Sequence, residues 1–586
     1  MTYKQNKSPE KKIAKNQKSL SAKLIDELPQ PFWQRHSDVF ITIVAMVLCA
    51  GLAFHGLGNH AFWTDEANTA IFARNLLNSG TLTGWDGQNL VGFMFGAELD
   101  ENLVNIYIPP AQYYVAAASL AIFGQSTIGG RILFVIFGLA TLPWLTLFAR
   151  RLGNGLFPAW LPAILLALSP AWLLYIRNCR YYSVGAFFSL MLLACFVAPL
   201  YTRRQQLVAA VLAAVATTGL IATHYTNAAF IITALPLLLL LKHLRCRSRV
   251  ILLLLIGLIA AAIGIIVLIY ANPLGSKFTE QDNTPHALRL AKLLWYHLRD
   301  MALFEHVPVL LALVLPLPFL IKRLEPQKPL VAIGIVLIAI FGLSAVITAL
   351  VSPQSVQLCH EAFMRHMVPL IPLGSLFAAL TLFILWQLAQ LIALTVAILL
   401  VFSNLLFLGN LDKNRGLGLA PRGVSSTLVD YISETFNDYK TNTETIIRIL
   451  KDKPEGSVIL VIPTYMMYTP MFYLPKLHYT CQIDAQKGIR PDLAAMLPPY
   501  VFGEKAKLDY ALIIRNEGIP DSGNLNLYDQ KRNFKFDTYT KEDMIKIYPF
   551  DCSRPEIGWH AFSVEEYRDD YKQHLFVLNF RSSVIH

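Results

Sequence analysis

Long apolar runs separated by short basic stretches fill the first 410 residues. A bilayer core of about 30 Å takes roughly 20 apolar residues as a helix. Runs of that kind fall near 39–57, 132–149, 156–176, 183–201, 206–223, 227–241, 250–271, 307–321, 329–351, 367–385 and 388–408. Residues 109–124, PPAQYYVAAASLAIFG, are apolar over too short a stretch and suit an interfacial or re-entrant helix. Beyond about residue 410 the pattern changes. SVILVIP at 457–463, DYALIIR at 509–515 and HLFVLNF at 573–579 read as short buried strands, and TNTETIIRILKDK at 441–453 as an amphipathic helix. The expected architecture is a polytopic α-helical membrane protein of about eleven spans over 39–409, followed by an α/β domain over 410–586.

The bases between the runs set the direction of the chain. If 109–124 does not cross, Arg150 and Arg151, Arg203 and Arg204, the cluster from Lys242 to Arg249, and Lys322, Arg323 and Lys328 all share one side. Lysine and arginine mark the cytoplasmic side. The loop at 58–130, with six acids and Arg74 as its single base, then lies outside, as does the domain at 410–586. Residues 1–38 hold seven lysines by position 23 and no apolar core, so they read as a basic cytoplasmic tail and not as a signal peptide. The expected location is the cytoplasmic (inner) membrane.

Composition narrows the class. Of 586 residues, 55% are hydrophobic and 15% charged, against about 25% charged in ordinary soluble domains. Mean hydropathy is +0.46. A disordered chain, a collagen-like chain and a typical cytosolic enzyme are excluded. The net charge of +11 does not point to nucleic acid, because the bases flank apolar runs. The lysine-rich tail suits anionic lipid instead.

The most informative stretch is HAFWTDEANTAIFARNLLNSG at 60–80, directly after the first span. Two adjacent carboxylates, Asp65 and Glu66, stand at the start of a helix on the outer face. One reading is structural: Thr64 caps the helix, and acids in its first turn favour the macrodipole. The other is catalytic: an acid at the water boundary takes a proton from a hydroxyl held beside a membrane-bound donor. Cations on the outer side complete the catalytic reading, since they stabilise the charge of a departing phosphate. The topology puts Arg177, Arg180, His224, Lys277, Arg289, His360 and Arg365 at outer span ends or loops. Snorkelling to lipid headgroups is their bland alternative. Asp86, Glu98, Asp100 and Glu101 match no calcium loop, and the tail carries no glycine-rich phosphate loop, zinc spacing or GxSxG. No metal ligand set and no cofactor are expected, with divalent-metal dependence left open.

An ordered set of pieces carries a resemblance. WTDEA follows the first span, PPAQYY ends in FG, and Arg131 opens a span; then come RRLG at 150–153, LSPAWLLYIRNCRYY at 168–182 and RHMVPLIPL at 365–373. Over roughly 38–380 the chain resembles the GT-C membrane glycosyltransferases, in the branch of the protein O-mannosyltransferases, the lipid A aminoarabinose transferases and the RgtA-like lipopolysaccharide sugar transferases. The resemblance implies an inverting transferase with Asp65 as base and Glu66 beside it. It implies a polyprenyl-phosphate-linked sugar as donor, and lipid A, lipopolysaccharide, protein or another glycan as acceptor. Arg177, Arg180, His224, His360 and Arg365 are then the expected phosphate-binding residues. Two departures remove cations: Ile108 stands where relatives often carry lysine, and His224-Tyr225-Thr226 where many show Thr-Lys-Gly. A transporter or flippase of lipid-linked glycans is the alternative, although the spans hold almost no midplane charge and no repeat. A non-enzymatic glycan-binding scaffold is a third reading. Among the cysteines, Cys481 with Cys552, or Cys179 with Cys359, are expected on the outer side as bridges or as free thiols.

Overall fold

The computed structural model describes residues 32–92, 98–270, 284–352, 354, 356, 362–407, 427–436, 441–462, 464–480, 495–501, 508–515, 563–568 and 574–579. Residues 1–31 of the basic tail, Lys277, Cys359, His360, Cys481 and Cys552 lie outside the described residues, and the rest of the tail opens the first helix.

The first helices are α1 (Phe32–Phe54), α2 (Thr64–Ser79), α3 (Ala111–Phe123), α4 (Thr127–Gly153), α5 (Leu161–Ala167) and α6 (Pro170–Ile176). Next come α7 (Tyr182–Val197), α8 (Arg203–Thr223), α9 (Tyr225–Leu238), α10 (Arg247–Tyr270) and α11 (His286–Leu303). After the short α12 (Leu317–Leu320) follow α13 (Lys328–Val351), α14 (Leu370–Leu388) and α15 (Gln390–Phe402). The tail holds α16 (Thr427–Phe436), α17 (Asn442–Lys451), β1 (Val458–Ile462), α18 (Tyr468–Tyr473) and β2 (His478–Tyr479). It ends in β3 (Tyr510–Arg515), β4 (Ser563–Arg568) and β5 (His574–Asn579).

Among the described residues, six helices are long and apolar enough to cross a membrane: His36–Phe54 in α1, α4, α8, Arg247–Ile269 in α10, Lys322–Val351 through α13, and α14. Shorter apolar helices are α3, α7, α9, Val309–Leu320 and α15. Length and composition thus single out six helices, and the expected runs at 183–201, 227–241, 307–321 and 388–408 hold shorter apolar helices. The run at 156–176 is interrupted. Ser169 accepts the Trp172 N–H at 3.3 Å, and Pro170 opens a new helix, so the run breaks into α5 and α6. Proline brings no N–H to continue the preceding turn but suits the first position of the next.

In the bundle, α4 lies along α7, α7 along α8, α9 against α13, and α14 against α5. Their buried faces share one apolar core that includes Phe148, Trp172, Phe196, Phe230 and Phe377. The sheet runs β2-β1-β3-β5-β4, with β1 parallel to β2 and β3, and β5 antiparallel to β3 and β4. The three expected strands coincide with β1, β3 and β5, and the expected amphipathic helix with α17. β2 has two residues and β4 reads SVEEYR, so neither carries an apolar run to find. A second core joins Ile71, Phe72 and Tyr113 of α2 and α3 to Ile446, Val461, Phe472, Tyr479 and Leu512 of the tail. The sheet thus shares its interior with the loop that carries Asp65.

Candidate active site

The two adjacent acids at the start of α2 point to different partners. Successive helical side chains are about 100° apart, so neighbours in sequence face different neighbours in space. Thr64 is not the cap expected of it. Trp63 stands at that position in extended backbone, and the Glu66 carboxylate accepts its N–H at 3.3 Å. The Thr64 hydroxyl turns to Met466 Sδ, at 3.6 Å.

Glu66 is fully buried and saturated. Arg131, in the first turn of α4, grips it with Nε at 2.8 Å and Nη2 at 2.5 Å, and the Cys179 N–H donates to Oε1 at 2.7 Å. Arg131 also donates to the carbonyls of Leu57, His60 and Ala61, which ties the end of the α1–α2 connection to the same carboxylate. Cys179 is buried and free, so it does not form the bridge to Cys359 considered above.

Asp65 faces two arginines through one oxygen. Its Oδ2 accepts Arg365 Nη1 at 2.9 Å and Arg180 Nη2 at 3.4 Å. Arg180 donates from Nη1 to Thr69 Oγ1, one turn along α2, at 3.0 Å. Oδ1 of Asp65 has no hydrogen-bond partner among the described residues. Asp65 and Arg180 are each 7% exposed, but the Arg365 side chain is 36% exposed. The cluster is therefore open on the Arg365 side. Two guanidiniums against one carboxylate leave it net positive.

His224 joins α8 to α9 and stands next to this cluster. Its ring stacks on Tyr181 with centroids 4.3 Å apart, and its Nε2 lies 3.2 Å from His366 Nδ1. Burial holds the pKa of both imidazoles below the ordinary value. The nearby Arg180 and Arg365 add to this at His224, and His224 and Arg365 add to it at His366. Arg177 is spent elsewhere. It donates to the carbonyls of Leu52, Ala53, His55 and Gly56 at the end of α1, and to the Tyr431 hydroxyl at 3.1 Å. A cation there complements the negative end of a helix. Of the expected residues, the fold thus brings together Asp65, Arg180, Arg365 and His224. Glu66 belongs to the neighbouring Arg131 pair, and Arg177 caps α1. Among the described residues, no group of three or more His, Cys, Asp or Glu side chains is placed to hold a metal ion.

No family model and no curated protein sequence matches the chain. Solved structures do. ArnT from Cupriavidus metallidurans in the apo state aligns at TM-score 0.52 and 14% identity, over 92% of this chain and 97% of that one. The same protein bound to undecaprenyl phosphate aligns at 0.49 and 16%, over the same shares. The Archaeoglobus fulgidus oligosaccharyltransferase in its apo form aligns at 0.45 and 13%, over 82% and 70%. The chain shares the fold of ArnT.

Within this fold the tail holds the segment that leads into α2. Glu444 accepts the Ala61 N–H at 2.7 Å. The Tyr473 hydroxyl accepts the Phe62 N–H at 3.0 Å, and the Thr469 hydroxyl donates to the Phe62 carbonyl at 2.9 Å. Arg74 donates to the Phe472 carbonyl at 2.8 Å. These contacts span some 400 positions, and no local pattern announces them. Arg131 had a signal, as a base at a span end that the expected topology places outside, where the positive-inside rule depletes them.

The two acids differ in what their loss costs. Glu66→Gln leaves Arg131 buried without its charge partner, a change that typically costs about 3–5 kcal/mol. Asp65→Asn leaves a cluster that reaches solvent through Arg365 and should cost much less. Thermal unfolding in detergent should show a large drop for Glu66→Gln and a small one for Asp65→Asn. Equal melting temperatures would contradict the anchoring role of Glu66.

Proposed function

We propose that the chain transfers a sugar from a polyprenyl-phosphate carrier to an envelope acceptor (lipid A, lipopolysaccharide, protein or another glycan) on the outer side of the cytoplasmic membrane. The observation that carries this reading is the Asp65 carboxylate held between Arg180 and Arg365 in a GT-C fold. The donor phosphate takes the two guanidinium forks, whose planar geometry suits paired phosphate oxygens. Asp65 is released from them as the phosphate arrives, and it accepts the proton of the acceptor hydroxyl. The acceptor oxygen bonds to the anomeric carbon as the bond from that carbon to the phosphate oxygen breaks. Its electron pair stays on the departing polyprenyl phosphate, where the arginines stabilise it. Displacement from the opposite face inverts the anomeric centre. Glu66 acts through position alone, by holding the first turn of α2.

The same reading sets the topology: N-terminus inside, the tail at 410–586 outside, α5 and α6 together as one crossing, and α3 not crossing. Counting the short apolar helices then gives eleven spans. It is supported by the helix junctions that meet around Asp65, since Arg180, His224 and Arg365 all lie at chain ends opposite to Arg150, Arg203, Lys242 and Lys328. Reporter fusions after residue 153 should read cytoplasmic and those after residue 420 external. The reverse at both sites would remove Asp65 from the outer face and end the mechanism.

Asp65→Asn keeps shape and loses the base. Transfer should fall by about 10²–10⁴-fold, the usual contribution of a general base. Mass spectrometry of envelope glycans, in a deletion strain carrying the variant, reads this out. A normal glycan profile from a folded Asp65→Asn protein would refute the assignment. Arg365→Lys keeps charge and loses the fork. The donor KM should rise about tenfold or more, the worth of one charged hydrogen bond, with the acceptor KM unchanged. An unchanged donor KM in Arg365→Ala would assign that arginine to lipid headgroups.

A further inference from the structure

Three helix junctions meet beside the Asp65 cluster. Tyr181 is the last residue before α7, His366 lies in the short turn Met364–Met367 before α14, and His224 joins α8 to α9. Each of the first two follows directly after one of the arginines on Asp65. The Tyr181 hydroxyl lies 2.8 Å from His366 Nδ1, and the His224 ring stacks on Tyr181 while its Nε2 reaches His366 Nδ1. The Asn227 N–H donates to His224 Nδ1 at 3.3 Å, which assigns the proton of the neutral ring to Nε2. His366 Nδ1 is then the acceptor, and the Tyr181 hydroxyl and the His224 N–H share its single lone pair.

We infer that Tyr181, His366 and His224 form a brace that fixes the spacing of Arg180 and Arg365 for the donor phosphate, and that they are positioning residues which do not touch it. Arg180 and Arg365 come from segments far apart in the chain, and both contact one oxygen of Asp65. Like charges so close repel, and Asp65 offsets that repulsion while it is bound. Once the phosphate has taken the guanidiniums, a link outside the charge cluster must keep the two segments in register. The Tyr181–His366 hydrogen bond is that link, one residue from each arginine, and the His224 ring backs it from a third junction. Neutral rings suit the place, since a further cation beside two guanidiniums would compete with them for the phosphate.

This inference rests on the phosphate reading of the arginines, and one experiment separates the two. Binding of polyprenyl monophosphate and of the matching polyprenol to the full chain in detergent is measured, and the ratio of the two affinities reports the grip on phosphate. Wild type should favour the phosphate. Tyr181→Phe removes a single hydroxyl and should lower the ratio about tenfold, with polyprenol binding unchanged. His366→Leu should lower it at least as far. His366→Asn, which keeps a polar atom near the Nδ1 position, should recover part of it. A loss of packing alone would weaken both ligands together and leave the ratio intact. No preference for phosphate in wild type would overturn the donor assignment itself. A wild-type preference retained in both Tyr181→Phe and His366→Leu would overturn the brace and leave the donor assignment standing.

Discussion

One carboxylate oxygen, Asp65 Oδ2, holds two guanidinium groups that would otherwise separate. Two like charges within contact of one oxygen repel by a few kcal/mol at an effective dielectric near 20. The carboxylate between them more than offsets that repulsion. A second anion that takes both guanidiniums would displace the carboxylate from between them. In the proposed function, that exchange would link donor binding to release of the base.

The exchange proposed above would need a fixed frame, and contacts beside the cluster supply one. Glu66 is adjacent to Asp65 in sequence but has an opposite character, since donors from Arg131, Cys179 and Trp63 fill both its oxygens. It locks the first turn of α2 to α4 and to the segment before Arg180. From the other side, Glu444, Thr469 and Tyr473 bind the backbone of Ala61 and Phe62. The tail therefore acts on the site through the two residues that precede Trp63. A shared apolar core supports this, with Phe72 and Phe472 in one cluster. Removing the tail would expose that core and leave buried backbone groups unpaired, which is costly.

Much of the fold was legible because apolar runs and strand-length segments are local signals. α4, α8, α10, α13 and α14 follow from runs of about 20 residues, and β1, β3 and β5 from short runs in a charged background. The break between α5 and α6 was visible in Ser169-Pro170 but was outweighed by the apolar count around it. At the site, the Asp-Glu pair and the arginines at span ends were legible as residue types in the right order along the chain. Their division of labour was not. Whether Arg177 or Arg365 faces Asp65 depends on helix rotation and on which carbonyls α1 leaves open at its end, and neither leaves a mark within a few residues. The partners of Phe62 and Glu66 lie in distant segments for the same reason. Thr64 shows the converse error: a good capping residue in the expected place, displaced by a glutamate that reaches back to Trp63.

The central claim is that a lipid phosphate replaces Asp65 between the two arginines. An experimental structure of the full chain in lipid nanodiscs with polyprenyl monophosphate tests it most directly. The account predicts phosphate oxygens within hydrogen-bonding distance of both Arg180 and Arg365, with Asp65 Oδ2 released from at least one of them and the Glu66–Arg131 pair unmoved. A phosphate bound elsewhere, with Asp65 still closed on both arginines, would contradict it.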